Sequence, residues 1–195
     1  GGTIRLDGRP ITPGTPRQAI ARGIYLVPED RKRSGLVLEF PVRVNVTLAD
    51  LAGHSRAWLV SGSEEAATAE RQKVRLNIRT PSIDTEVITL SGGNQQKVVL
   101  AKWLAMRPSV VIFDEPTRGI DVGAKSEIYA ILRQLADAGG AILMISSDME
   151  EGIGVSDRIA VMHEGRVSGI LANRDSFTET NVLELAVNSP ARTAA

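Results

Sequence analysis

The chain of 195 residues carries 23 Lys+Arg against 23 Asp+Glu, so its formal net charge is zero. That length suffices for one α/β domain with a sizeable core, and the charge balance excludes the basic excess expected of a nucleic-acid binder. There is no cysteine, hence no disulfide framework and no thiolate metal site, which fits a reducing compartment.

No apolar run approaches the roughly 18 residues that span a bilayer. No signal peptide is visible, and Gly1 at the first position reads as a cut or processed end. Thr3 to Asp7 alternates and stops at Asp7-Gly8, a strand entering a turn. Thr15 to Arg22 reads as a short helix, capped by Thr15 with Pro16 at its first position. Ile24 to Val27 reads as a buried strand broken by Pro28. From about Val42 to Ile78 the pattern turns helical, and Ser63 ahead of Glu64 and Glu65 marks a helix start. Asn94 to Met106 is a further helix. Val110 to Phe113 is a continuous apolar run, as in a strand buried on both faces.

Asp121 is placed to cap the next helix, in which Ile128, Ile131, Leu132 and Leu135 recur at helical spacing until Gly139-Gly140. Ala141 to Ile145 reads as a second buried strand. Ile159 to Met162 and Val167 to Leu171 read as a hairpin around Glu164-Gly165. A polar linker follows Ala172, then a short helix near Asn181 to Val187 and a loose tail. Strands alternating with helices predict a mostly parallel sheet with helices packed on it.

Chemistry concentrates in two places. Ser91, Gly92 and Gly93 stand directly before the helix that starts near Asn94. A helix start carries unpaired N–H groups and a partial positive charge. Two glycines let a ligand reach that backbone, and a serine hydroxyl adds a donor, so a phosphate fits there. An ordinary serine N-cap is the plain alternative. In the second place, Asp114 and Glu115 end the apolar strand, where ligands bind in open α/β sheets. Asp114 suits Mg²⁺, directly or through water. Glu115 suits orienting or deprotonating a water that attacks a γ-phosphate. The plain alternative is a solvated turn closed by Pro116.

The wording of the motifs is specific. Leu90 to Lys97 reads LSGGNQQK, Asp114 to Lys125 reads DEPTRGIDVGAK, Val27 to Lys32 reads VPEDRK and Ile145 to Asp148 reads ISSD. This set resembles the signature and Walker B motifs of ATP-binding-cassette (ABC) ATPases, and most closely the second cassette of tandem ATPase subunits of ribose-, xylose- and galactose-type importers. The resemblance runs from about Gly2 to Val187. It implies the ABC-type P-loop NTPase fold, an α/β domain over residues 1–175 with a helical subdomain at roughly 36–106, and a C-terminal helix and tail over 176–195. It implies that Ser91, Gly92, Gly93 and Asn94 reach the γ-phosphate of ATP held mainly by an opposing nucleotide-binding cassette. Asp114 would then serve Mg²⁺, Glu115 the attacking water, Asp121 the D-loop at the cassette interface, Glu29 the Q-loop and Ser147 the switch position. The partners so implied are that cassette, transmembrane permease subunits and, indirectly, a sugar-binding protein. The implied location is peripheral, on the cytoplasmic face of the membrane.

Three departures qualify the resemblance. Glu29 stands where the family usually has Gln; an ionised carboxylate accepts but cannot donate. Ser147 stands where it usually has His, and serine has no group titrating near neutral pH. Both changes are typical of the second cassette and imply a weakly hydrolysing site whose signature completes a better one. Finally, no G-x-x-x-x-G-K-[ST] occurs in the chain. Its strand, loop and helix are expected upstream of Gly1, which would leave the strands at 110–113 and 141–145 with uncovered apolar surface. The remaining features read plainly: His54 and His163 as surface or hairpin positions, Arg31-Lys32-Arg33 as a solvated loop open to a partner contact, and Trp58 and Trp103 as core or interface fillers. Two other readings stay open, a non-transport ABC ATPase and a non-catalytic cassette remnant that binds a partner.

Overall fold

In the computed structural model, residues 2–187 are described, and the tail beyond Val187 lies outside them. The chain forms two compact units, Gly1–Ile145 and Ser146–Ala195.

The first unit opens on a hairpin of β1 (Ile4–Leu6) and β2 (Arg9–Ile11). Asp7 and Gly8 form its turn with φ of 49° and 75°, the left-handed pair that a two-residue hairpin needs. Helix α1 (Pro16–Ile20) is capped by Thr15 as expected. Strand β3 (Ile24–Val27) pairs in parallel with β6 (Val110–Asp114), which pairs in parallel with β7 (Ala141–Ile145). The connection from β3 to β6 is the helical part: α2 (Val42–Thr47), a short hairpin of β4 (Ser55–Arg56) and β5 (Leu59–Val60), α3 (Gly62–Arg75) and α4 (Gly92–Leu104). Helix α5 (Val122–Asp137) links β6 to β7.

The core centres on α4. Val98, Val99, Leu100 and Ala101 are fully buried, packed with Val27 and Phe113 of the sheet, Val42 and Val46 of α2 and Ile128 of α5. α4 is enclosed on nearly every side, which is why ten of its residues are buried although its apolar face is not sharply periodic.

Several expectations are corrected. The start of α3 is set by Ser61, whose hydroxyl accepts from the Glu64 N–H, and Ser63 lies inside the helix. Strand β7 is not buried on both faces: Ile142 and Met144 pack on the core, while Leu143 and Ile145 are 54% and 47% exposed. It is the edge strand of the three-stranded sheet, and α5 packs on only one of its faces. Trp58 is not in the core; it stands fully exposed at the tip of the β4–β5 hairpin, where Ala57 and Trp58 take φ of 48° and 72°. Trp103 does pack, with its ring 5.5 Å from that of Tyr25. His54 is buried rather than on the surface, its Nδ1 2.8 Å from the Asp50 carbonyl oxygen and its Nε2 3.0 Å from the Thr68 hydroxyl.

In the second unit, α6 (Met149–Val155) follows an Asp148 cap. Strands β8 (Ile159–His163) and β9 (Arg166–Leu171) form the expected hairpin, with a turn at Glu164 and Gly165. Helix α7 (Glu179–Val187) packs on β8 and β9. No described helix is long and apolar enough to cross a membrane.

Candidate functional site

Ser91 is the N-cap of α4. Its hydroxyl accepts from the Asn94 N–H at 3.5 Å and from Asn94 Nδ2 at 3.0 Å. The Asn94 side-chain oxygen in turn accepts from the Arg79 N–H at 2.8 Å. Ser91 is exposed, Gly92 half-buried and Gly93 buried. Glycine at 93 is required by packing, since a Cβ there would lie 2.5 Å from Ala124 Cβ in the first turn of α5. The start of α5 is capped by Asp121, whose Oδ1 accepts from the Ala124 N–H at 2.9 Å. Two capped helix N-termini therefore lie side by side, each contributing unpaired N–H groups and positive potential.

Asp114 ends β6, and its pairing with Ile145 carries the parallel ladder to the strand's last residue. Glu115 follows with φ 47°, and its N–H donates to the Ile145 carbonyl at 2.9 Å. A left-handed glutamate is an uncommon conformation. It turns the chain at the strand end, where both carboxylates are half-buried. Among the described residues no group of three or more His, Cys, Asp and Glu is placed to hold a metal ion. An all-protein cage is thus absent there, whereas a cation held by one carboxylate, waters and phosphate oxygens, as Mg²⁺ commonly is, fits Asp114.

Glu29 lies in the loop after β3 and forms an ion pair with Arg118, in the loop after β6. These residues, with Asp30, Arg31 and Lys32, line a shallow cleft of about 300 Å³. The segment from Arg31 is not a solvated loop. It is a π-helical turn, Arg31–Gly35, capped by Asp30, which accepts from the N–H groups of Lys32 and Arg33 at 3.0 and 3.1 Å. Lys32 and Arg33 are exposed, but Arg31 folds inward across the signature turn. Ser147 belongs to the second unit and is exposed in the loop before α6. There the Ser146 hydroxyl accepts from the Asp148 N–H at 3.0 Å and donates to Glu151. Glu29, Ser91, Gly92, Gly93, Asn94, Asp114, Glu115 and Asp121 all belong to the first unit.

The sequence matches the ABC transporter family over residues 1–118. The chain belongs to this family. It is 48% identical over 185 residues to the ribose import ATP-binding protein RbsA of Lactococcus lactis subsp. lactis, and 48% identical over 187 residues to the arabinose import ATP-binding protein AraG of Pseudomonas syringae pv. syringae. Each match covers 95% of the chain and 37% of the relative, so the chain spans little more than a third of the length of these relatives. Among solved structures, cbiO1 of Clostridium perfringens, described as part of an ABC transporter complex, superposes with a TM-score of 0.74 at 26% identity, over 94% of this chain and 71% of that one. A nucleotide-free ATP-binding cassette from an ABC transporter gives a TM-score of 0.79 at 20% identity, over 94% and 74% of the two chains. The expected fold class, α/β with a mostly parallel sheet and an inserted helical region, is that of the family.

A polar cluster behind the signature turn was not legible beforehand. Lys97 is 2% exposed, donates to the Asn77 carbonyl at 2.8 Å and is paired with Glu127 of α5. Arg79 holds the other oxygen of Glu127 at 3.0 Å. The hydrogen bond from Lys97 pushes the Glu127 carboxyl below the usual range. Such a group stabilises the fold above its ordinary pKa, and the contribution is lost as pH falls through its lowered folded value. Lys97→Met is expected to raise the Glu127 pKa toward that of an ordinary glutamate, measured by NMR titration of the carboxyl carbon. An unchanged titration would show that Arg79 alone sets it. The Gln-Gln-Lys tail of the signature was the available signal, since a lysine at the sixth position of an enclosed helix needs a partner.

Proposed function

We propose that this chain is the nucleotide-binding cassette portion of the ATP-binding subunit of a monosaccharide importer, supplying a signature motif to a composite ATP site. The domain assignment over residues 1–175, with its helical subdomain at roughly 36–106, belongs to this reading. The observation that carries it is the exposed Ser91 cap at the start of α4, held against the Asp121-capped start of α5. The near-half identity to sugar-import ATP-binding proteins supports the substrate class.

In this reading Ser91 and the amides that follow it bind the γ-phosphate of ATP held by the opposing cassette. Asp114 holds Mg²⁺, which neutralises charge on phosphate oxygens. Glu115 orients the water, and Asp121 lies at the cassette interface. Glu29 senses nucleotide and, with the helical region, faces the permease subunits; a sugar-binding protein delivers the cargo to them. Ser147 cannot handle a proton as an imidazole does, so the site built on this cassette turns over slowly. The subunit is peripheral, on the cytoplasmic face of the membrane.

The test is ATP-driven monosaccharide uptake by the full-length subunit reconstituted with its permease. Glu115→Gln is expected to lower hydrolysis less than the matching change in the other cassette. Equal losses would show that the two sites work alike, and the absence of ATP-dependent uptake in the unaltered complex would remove the transport reading.

A further inference from the structure

Arg31 connects three points of the site. Its Nε donates to Gln95 Oε1 at 3.5 Å, its Nη1 to the Arg118 carbonyl at 3.2 Å and its Nη2 to the Gly119 carbonyl at 3.4 Å. Gln95 is itself held, its Nε2 donating to the carbonyls of Val87 and Leu90 at 3.2 Å each. An unbroken chain of hydrogen bonds therefore runs from Leu90, which precedes the signature serine, through Gln95 and Arg31 to the two carbonyls that precede the Asp121 loop. The guanidinium also fills the space over Gly92, where a Cβ would lie 2.9 Å from Nη2.

Both ends of the Arg31 turn are anchored. Asp30 caps its start, while at its end the Gly35 carbonyl accepts from Lys102 and a Cβ on Gly35 would lie 3.0 Å from Val99. Two arginines thus staple the same pair of loops in opposite directions. Arg31 reaches from the β3 loop to the backbone of the β6 loop, and Arg118 reaches from the β6 loop back to Glu29.

We propose that Arg31 is a positioning residue for hydrolysis: its planar fork sets the register of the Ser91–Gly93 turn against the segment from Arg118 to Asp121, and ties both to the loop that carries Glu29. A movement of Glu29 is then transmitted to the phosphate-facing turn through Arg31 rather than through the sheet. Lysine cannot take its place, because one ammonium cannot reach two adjacent carbonyls and an amide in a single plane. The proposal rests on the composite-site reading above.

The test uses the full-length subunit with its permease, steady-state ATPase measurements across ATP concentrations, and thermal unfolding of each variant. Arg31→Lys and Arg31→Ala are both expected to lower kcat by about 10-fold or more while leaving KM for ATP within about 2-fold, since the turn is misplaced but the bulk of the nucleotide contacts is intact. Two results would overturn the proposal: an Arg31→Lys variant with unaltered kcat, or losses that follow the fall in unfolding temperature. An unaltered subunit with no ATPase activity would instead remove the composite-site reading itself.

Discussion

Replacing Ser91 by arginine in the full-length subunit is expected to lower ATP hydrolysis in the presence of the permease by at least about 100-fold, the scale on which single preorganised donors act on developing charge. Two causes act together. The serine hydroxyl, which faces solvent at the start of α4 while accepting from Asn94, is lost. A long cation then stands over a helix N-terminus that is already positive and already crossed by the Arg31 guanidinium, blocking the approach of a phosphate. The fold should survive, because an exposed N-cap contributes only about 1 kcal/mol. ATPase assays beside thermal unfolding measure both quantities. Activity within about 2-fold of the unaltered subunit would show that Ser91 has no part in transition-state stabilisation.

The second large effect concerns affinity. The 195-residue chain by itself is expected to bind Mg-ATP only at about millimolar strength or weaker. Micromolar binding corresponds to about 8 kcal/mol. Hydrogen bonds from a P-loop lysine and backbone amides to phosphate contribute roughly 1.5–3 kcal/mol each. The sequence contains no G-x-x-x-x-G-K-[ST], and the groups it does bring toward phosphate are those of the Ser91 turn and the strand-end carboxylates. Isothermal calorimetry decides the matter, and a Kd below about 10 μM would mean that these groups, or others, form a nucleotide site on their own.

The pattern of exposure agrees with a cassette whose sheet is covered on one side. Leu26 of β3 and Leu143 and Ile145 of β7 are about half exposed, while Val27, Val111 and Phe113 on the other side are buried against α4 and its neighbours. Exposed apolar area of this kind is a recognised cause of association.

Features that depend on local chemistry were legible in the residues alone. Asp7-Gly8 and Glu164-Gly165 specify tight turns because glycine accepts the positive φ that follows the acidic residue. Thr15, Ser91 and Asp121 cap helices because a short side-chain oxygen reaches an N–H two or three residues ahead. The apolar run at 110–113 read as a strand closed by Asp114-Glu115-Pro116, and β6 ends at Asp114. Ser61 against Ser63 shows the limit of such reasoning. Both precede acidic residues at usable spacing, and the choice fell to the chain reversal of the β4–β5 hairpin, whose backbone bond from Ser61 N–H to His54 carbonyl at 2.8 Å holds Ser61 at the helix entrance.

What the sequence by itself determined, then, is the set of caps, turns and strand ends, and through its motif wording the family, because each depends on groups within a few positions of one another. The tertiary structure alone decided which charges go inside. Arg31 and Gln95 are 64 positions apart, Arg31 and Arg118 are 87 apart, and Lys97 and Glu127 are 30 apart. In a list of residues each of these cations looks like a solvated surface group. Burying one is unfavourable unless partners are waiting, and the partners are carbonyls and carboxylates brought together only when α4 packs between the sheet, α5 and the turn after β3.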